Sequence, residues 1–426
     1  MELTEKQGFK QSEVGLIPED WDALELNGLG ATGRPVIKAG PFGSSLKKEF
    51  YVSDGYKIYG QEQVIKNDPF YGDYFINKER YSKLKSCKVL PGDILLSLVG
   101  TFGKVLVIPE KALKGIINPR LLRISVDKNK FHTKYISYFL RSTKAIGILE
   151  SKLQGATMGV LNASILKSFQ FPLPPTLKEQ KAIATALSDV DELITGLVLL
   201  ITKKKAIKQG AMQQLLTPPH KGGKRLPGFT GEWVEKTLGN VADFYKGKGL
   251  PKSQISVDGK YECIHYGELF TKYNELIDRV KSRTNFSDNT FVSRANDVLM
   301  PTSDVTPNGL ATASAIFEDN VILGGDVLVI RPNKNELFGG FLSYQVKLNK
   351  PQIMALVSGS TVYHLYGSDM AKFTFAMPRT AEQKAIVVIL SDMDTEIEQL
   401  ESKKAKYQSV KQGMMQELLT GKTRLI

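Results

Sequence analysis

Metal and redox chemistry have little to work with in this chain: its 426 residues hold two cysteines and four histidines. Cys87 and Cys263 stand in unrelated contexts and offer neither a zinc-ligand spacing nor a disulfide framework. His132, His220, His265 and His364 show no paired spacing for a metal or a catalytic triad. No G-x-x-x-x-G-K-[ST] stretch occurs, which argues against a Walker-type ATPase or helicase. The longest nearly apolar run, around Leu193–Ile201, falls far short of the ~18 residues a membrane helix needs. The opening Met1-Glu-Leu-Thr-Glu-Lys6 lacks the apolar stretch of a secretory signal. The expectation is a cytoplasmic chain with no membrane role, no metal site and no catalytic group of its own.

What is present is charge of one sign and ordinary globular composition. Lys and Arg number 57 against 44 Asp and Glu, a net charge of +13. Such an excess favours polyanions, nucleic acid first and acidic membrane surfaces second, but does not choose between them. With 42% apolar and 24% charged residues, and length enough for roughly three units at about 150 residues each, more than one core is expected.

The chain repeats itself. Residues 179–217 and 382–420 align without a gap at an offset of 203. Glu179-Gln-Lys-Ala-Ile183 returns as Glu382-Gln-Lys-Ala-Ile386, Lys208-Gln-Gly210 as Lys411-Gln-Gly413, and Leu215-Leu-Thr217 as Leu418-Leu-Thr420. Weaker echoes extend outward: Pro91-Gly-Asp-Ile-Leu95 against Ala295-Asn-Asp-Val-Leu299, Tyr59-Gly-Gln61 against Tyr266-Gly-Glu268, and Gly155-Ala-Thr157 with Leu161 against Gly359-Ser-Thr361 with Leu365. Trp21 and Trp233 each follow a Pro- or Gly-bearing approach. Each half is a variable globular region followed by a well-preserved segment.

The preserved segments read as long helices. Pro174-Pro175 and Pro378 precede them, and Thr176-x-x-Glu179 and Thr380-x-x-Gln383 fit the capping box. Apolar residues fall at Ile183, Leu187, Val190, Ile194, Leu197 and Ile201, and again at Ile386, Leu390, Met393, Ile397 and Leu400. This 4,3 spacing is a coiled-coil seam, weakened midway by Lys204 and Lys404. The arrangement expected is antiparallel, about a pseudo-two-fold axis, with each helix about 57 Å long. Gly210 and Gly413 admit two readings, close approach of another helix or fraying near the helix end.

The globular parts predict short strands, with a hairpin over 89–107, and aromatic-bearing helices over 131–150 and 338–356. Two stretches resemble catalytic motifs superficially. Asn67-Asp-Pro-Phe-Tyr71 lacks the second Pro of the base-gripping loop of amino-methyltransferases, and no Gly-rich cofactor turn precedes it. Glu179-Gln-Lys181 and Glu382-Gln-Lys384 resemble the Glu-x-Lys arm of metal-dependent nucleases but sit at helix starts, where a structural role fits better.

These residues together resemble the specificity (S) subunit of type I restriction–modification systems. The motifs that carry the resemblance are Leu173-Pro-Pro-Thr-Leu-Lys-Glu-Gln-Lys-Ala-Ile183 and Met377-Pro-Arg-Thr-Ala-Glu-Gln-Lys-Ala-Ile386, the repeated endings at 208–217 and 411–420, Gly40-Pro-Phe-Gly-Ser-Ser-Leu46 and Pro91-Gly-Asp-Ile94. The resemblance implies an α+β chain with two target-recognition domains, at 1–172 and 218–376. They are joined by conserved coiled-coil helices at 173–217 and 377–426. It further implies that each domain reads half of a gapped site in double-stranded DNA, and that the helices set the gap and dock two methyltransferase (M) subunits that methylate adenine. Restriction (R) subunits complete the full complex. S-adenosylmethionine, ATP and Mg would belong to those partners, with no cofactor in this chain. Two departures stand out: the apolar Leu197-Val-Leu-Leu-Ile201 where the second copy has Leu400-Glu-Ser-Lys-Lys404, and Pro301-Thr-Ser-Asp304 where the first has Ser97-Leu-Val-Gly100.

Candidate DNA contacts follow from residue type, since phosphates are met by Lys and Arg and base edges by Arg, Lys, Asn, Gln, Ser and Thr. In the first domain these are Lys38, Ser44, Ser45, Lys47, Gln61, Gln63, Thr101, Lys104, Asn118 and Arg120; in the second, Lys246, Lys248, Lys252, His265, Thr302, Ser303 and Asn308. The alternatives are a stand-alone DNA-binding repressor or anti-restriction protein, a coiled-coil scaffold without DNA, and, third, a methyltransferase.

Overall fold

A computed structural model describes residues 8–30, 33–98, 104–154 and 163–425. Thr101 and the 155–162 segment lie outside the described residues. The chain divides into two compact units, one of residues 1–197 with 403–426, the other of 198–402.

Two helices of 39 residues dominate, a central one over Leu177–Leu215 and a C-terminal one over Thr380–Leu418. Both unit boundaries fall inside them, so each unit takes the start of one helix and the end of the other. Within unit 1, Lys411 of the C-terminal helix reaches Asp191 of the central one at 2.6 Å. Within unit 2, Lys204 pairs with Glu396 at 2.6 Å and Lys205 with Glu401 at 2.7 Å, and Lys208 pairs with Asp394. Late positions of one helix meet early positions of the other in both units, so the pairing is antiparallel. Seam residues Ile183, Leu187, Val190, Ile386, Leu390 and Ile397 are buried, whereas Ile194, Leu197, Met393 and Leu400 are half-buried. The polar interruption at Lys204 is a rung of ion pairs.

The capping boxes are a correction. Thr176 Oγ1 does accept from the Glu179 N–H at 3.2 Å, but the Glu179 carboxylate turns away to Arg424. Thr380 lies inside its helix and donates to the Asn335 carbonyl, while Gln383 accepts from Phe338 N–H at 2.8 Å. Gln180 does the same for His132 N–H at 2.9 Å. The repeated Glu-Gln pair is therefore tertiary glue: the Glu is buried against an arginine and the Gln ties the helix start to the aromatic helix before it.

Gly210 and Gly413 face no neighbour within reach of an added Cβ, so no close helix approach occurs there among the described residues. The apolar run of the central helix leaves Val198, Leu199 and Leu200 exposed, Leu199 at 67%, while Ile201 is buried.

Among the described residues, unit 1 holds two larger sheets beside two two-stranded ones. One runs in the order Val105–Val107, Ile94–Ser97, Leu121–Ile124, Ile37–Ala39, all antiparallel. The first pair is the expected hairpin, with Leu96 opposite Val105. The other is five-stranded, with Gly115–Ile117 parallel to Tyr56–Tyr59 at its centre. Ile94–Ser97 and Leu121–Ile124 are buried at every position, as strands covered on both faces must be. One core fills the space between the first sheet, the helix Thr133–Leu140 and the long helices; a second lies between the two sheets. Unit 2 repeats the plan. One large sheet orders Ala242–Lys246, Val327–Pro332, Asp297–Pro301, Ser314–Ile316, Leu276–Ile277, and a second is built around Tyr261–Ile264 and Ile322–Leu323, again beside two-stranded ones.

The repeated Pro-Gly-Asp and Ala-Asn-Asp tripeptides have a physical cause. Gly92 and Asn296 sit at φ of 87° and 83°, a left-handed conformation that Gly and Asn tolerate best. The turn lets Asp93 accept from Leu90 N–H and Asp297 from Arg294 N–H, each at 2.8 Å, before its strand begins.

Candidate nucleic-acid interface

In unit 1 one end of both sheets gathers four loops. The strand ending at Ala39 runs into the 40–46 loop, where Gly40 leaves no room for a Cβ against the Asn118 carbonyl and donates to Leu121 O at 3.0 Å. Asn118 N–H in turn donates to Tyr59 O at 2.8 Å, and Gln61 Nε2 to Ser97 Oγ at 2.8 Å. Leu98 N–H donates to Arg120 O at 3.0 Å and Ser97 N–H to Lys104 O at 3.3 Å. Ser44, Ser45, Gln61, Lys104, Asn118 and Arg120 therefore come from loops that touch, although they span 77 residues of sequence. Ser44, Lys47, Lys104 and Arg120 are exposed, and Lys38 and Ser45 half-buried. The Asn118 carboxamide accepts from Arg120 N–H at 2.9 Å, which shapes the turn that carries the Arg120 side chain outward.

Gln63 does not join this surface. It is 1% exposed, accepts from Gly60 N–H at 2.7 Å and donates to Tyr71 O at 2.7 Å. The buried Lys57 ammonium acts beside it, donating to Phe70 O at 3.2 Å and Gly72 O at 2.7 Å. Burial lowers the Lys57 pKa, against the pull of Asp73, Asp68 and Glu62. Three successive carbonyls of the Asn67–Tyr74 loop are thus held from beneath while Phe70, Tyr71 and Tyr74 stay exposed. The stretch is an ordered turn, as its sequence suggests.

Unit 2 builds the corresponding end from different residues. Gly247 N–H donates to Val327 O at 2.8 Å and Lys248 N–H to Leu323 O at 2.9 Å, and Gly324 N–H donates to Ile264 O at 2.9 Å just before His265. Thr302 N–H donates to Asp326 O at 3.0 Å. Lys246, Lys248, Lys252 and Asn308 are exposed on these loops, and Ser303 is half-buried. Two candidates are turned to other tasks. Thr302 is buried, and its hydroxyl donates to the Asp326 carbonyl at 3.2 Å. His265 caps the short helix Tyr266–Leu269 by accepting from Gly267 N–H at 3.3 Å, and burial, with Lys252 nearby, pushes its pKa down despite Glu268 and Asp326, which disfavours the imidazolium.

Sequence reasoning missed several residues here. Gly324-Gly-Asp326 takes the place that Asn118-Pro-Arg120 holds in unit 1, without shared residue types to reveal it. Tyr363-His-Leu-Tyr366, by contrast, is a stretch that the sequence itself offers for a surface or DNA-contacting role beside the more common packing one; Tyr363–His364 forms a two-stranded ladder with Ser303–Asp304, pairing His364 with Ser303 and leading to the exposed Tyr366. Phe42 is 88% exposed amid Lys38, Lys47 and Lys48; its setting in Gly-Pro-Phe-Gly-Ser-Ser was the available signal.

Both assemblies are turns rich in Lys, Ser and Asn at a sheet end, the chemistry of phosphate and base-edge contact. No helix among the described residues is long and apolar enough to cross a membrane.

Comparison with known proteins agrees with this reading. The family model for the type I restriction modification DNA specificity domain matches twice, over residues 18–208 and 230–407. A putative type I restriction enzyme MjaX specificity subunit of Methanocaldococcus jannaschii is 27% identical over 444 aligned residues, covering 100% of this chain and 99% of the relative. The MjaVIII specificity subunit of the same organism is 22% identical, covering 100% and 98%. Among solved structures, the type I restriction–modification S subunit from M. genitalium superposes with a TM-score of 0.59 at 16% identity, covering 98% of each chain. A chain from a study of assembly and conformational transition in a type I R-M system gives 0.56 at 15%, covering 96% of this chain and 99% of that one. With two specificity-domain matches that between them span most of its length, this chain belongs to the type I restriction–modification DNA specificity family and serves DNA target recognition.

Proposed function

We propose that unit 1 and unit 2 read different halves of one gapped, double-stranded DNA site, with the paired long helices setting the gap and docking two adenine methyltransferase subunits. The chain itself supplies recognition and no catalysis; S-adenosylmethionine, ATP and Mg belong to the methyltransferase and restriction partners, and the complex works in the cytoplasm. The observation that carries this reading is the pair of sheet ends, alike in backbone and unlike in side chains. Asn118-Pro-Arg120 in one and Gly324-Gly-Asp326 in the other would present different donors and acceptors to base edges. Likeness of the helices keeps the spacing while the readers diverge.

The test is a methylation map. This chain is expressed with the methyltransferase encoded beside it in a host lacking DNA methylation, and N6-methyladenine is located by sequencing. A single gapped bipartite motif modified in both halves is expected. Methylation unaltered by omitting this chain would overturn the proposal and favour a stand-alone DNA-binding repressor or anti-restriction protein.

A further inference from the structure

Unit 1 contains a groove of about 700 Å³ between residues 139–144 and the end of the C-terminal helix. Its apolar part is Leu16, Phe139, Met415 and Leu419. Its charged part is Arg141, Lys144, Lys411 and Lys422, with no carboxylate among the described residues that line it. Lys411 is held by Asp191, and Lys422 stands 3.9 Å from Glu417 outside the groove. Arg141 donates to the carbonyl of Val105 at 2.7 Å. Lys144 is half-buried; burial first and the like charge of Lys422 second lower its pKa. A cation desolvated beside another cation, over an apolar floor, is an arrangement that only an incoming anion compensates.

Unit 2 shows what is missing. Counting along the repeat, Phe139 and Leu419 correspond to Gln345 and Leu216, and Arg141 and Lys411 to Lys347 and Lys208. In unit 2 the Gln345 carboxamide donates to Leu216 O at 2.9 Å and closes the helix end against its neighbour. Glu275 there takes both cations, Lys208 at 3.2 Å and also Lys347. Unit 2 thus supplies an amide and a carboxylate from its own chain where unit 1 offers two cations and an apolar pair.

We infer that this groove receives an acidic, partly apolar polypeptide segment of the methyltransferase partner, whose carboxylate sits among Arg141, Lys144 and Lys422 while an apolar side chain rests on Phe139, Met415 and Leu419. The inference rests on the reading that such a partner docks on this chain. DNA is the poorer occupant because phosphates would meet the cations and leave the apolar floor wet.

Photo-crosslinking tests it. The full chain, with benzoylphenylalanine in place of Gln412 or Gln416, is co-expressed with the adjacent methyltransferase, irradiated, and analysed by mass spectrometry. A crosslink to a methyltransferase peptide with Asp or Glu beside a large apolar residue is expected. The paired change Lys144→Glu with Lys422→Glu should weaken methyltransferase association at least tenfold, and Lys422→Glu alone, at an exposed position, should weaken it by a smaller factor. Crosslinks to DNA, to this chain itself or to nothing in the assembled complex would overturn the proposal, as would unchanged association of both variants. Failure of the unaltered chain to associate would instead remove the underlying reading, and this proposal with it.

Discussion

Unit 2 closes its end of the long helices with continuous chain, whereas unit 1 does so with two segments held by charge. In unit 2 the chain leaves the central helix and within ten residues places Arg225 on the buried Glu382 at 2.7 Å, then continues to the buried Trp233. In unit 1, Arg424 grips the equivalent Glu179 at 2.5 Å and Asp20 at 2.8 Å, a residue 404 positions away. Gly421 packs so closely on Pro18 and Trp21 that it has no room for a Cβ. The same buried glutamate thus has an arginine in both units. Where the peptide bond is missing a second carboxylate takes part, and the Arg424 hydrogen bonds hold Asp20 below its ordinary pKa.

The comparison can be broken at several points. The largest effect is expected from Glu275→Gln, which leaves Lys208 and Lys347 short of a carboxylate in a buried cluster and should cost about 3–5 kcal/mol of unit 2 stability. Lys411→Met in unit 1, where the cation pairs with Asp191 and lies over the Tyr138 ring, should cost about 1–3 kcal/mol. Denaturant titrations of the two variants measure the gap, and equal losses would show that Glu275 adds nothing. Burial alone would raise the Glu275 carboxyl, but Lys347 and Lys208 outweigh it and leave its pKa lowered. Its contribution is therefore complete above the ordinary glutamate value of 4.5 and fades as pH falls through the lowered folded value. Thermal melts in that acid window should separate Glu275→Gln from the parent less than melts at neutral pH.

Arg424→Ala should cost about 1–3 kcal/mol by stranding Glu179, and Asp20→Asn, at an exposed position, less than about 1 kcal/mol. On the DNA side, Arg120→Ala should weaken binding by about 1–3 kcal/mol for sites with the correct first half and leave second-half reading intact. Unchanged affinity and an unchanged methylation pattern would sink that assignment. The smallest change is expected from Lys248→Ala, a sequence-independent loss that lowers the salt slope of binding by about 1.

The long helices, the seam and the repeat were legible in the sequence because periodicity and self-similarity survive without knowledge of contacts. The partners of Glu179 and Gln180 were not: a capping box and a tertiary clamp use the same residues at the same spacing, and only the position of Arg424 and His132 separates them. Unit boundaries were equally hidden, since Leu197 and Ser402 are ordinary mid-helix residues and the division follows which halves pack together. Residue type placed Arg120, Lys104 and Lys248 on candidate loops, but the convergence of those loops at the sheet ends depends on strand order and could not be read from the sequence. Residue type misled at Gln63 and Thr302, where a polar side chain beside a turn serves the turn and faces inward.

The loop held by Lys57 and Gln63 bears on how such a protein can change. Its shape is set by grips on the carbonyls of Phe70, Tyr71 and Gly72, which every amino acid possesses. The side chains at positions 70 and 71 are exposed, Tyr71 carrying the Lys66 ammonium over its ring at 3.7 Å, and neither makes the grips that shape the loop, so they can be exchanged while the backbone keeps its path. An ammonium that costs free energy to bury thereby separates inheritance of form from inheritance of surface: mutations can rewrite what the loop displays without first having to rebuild it.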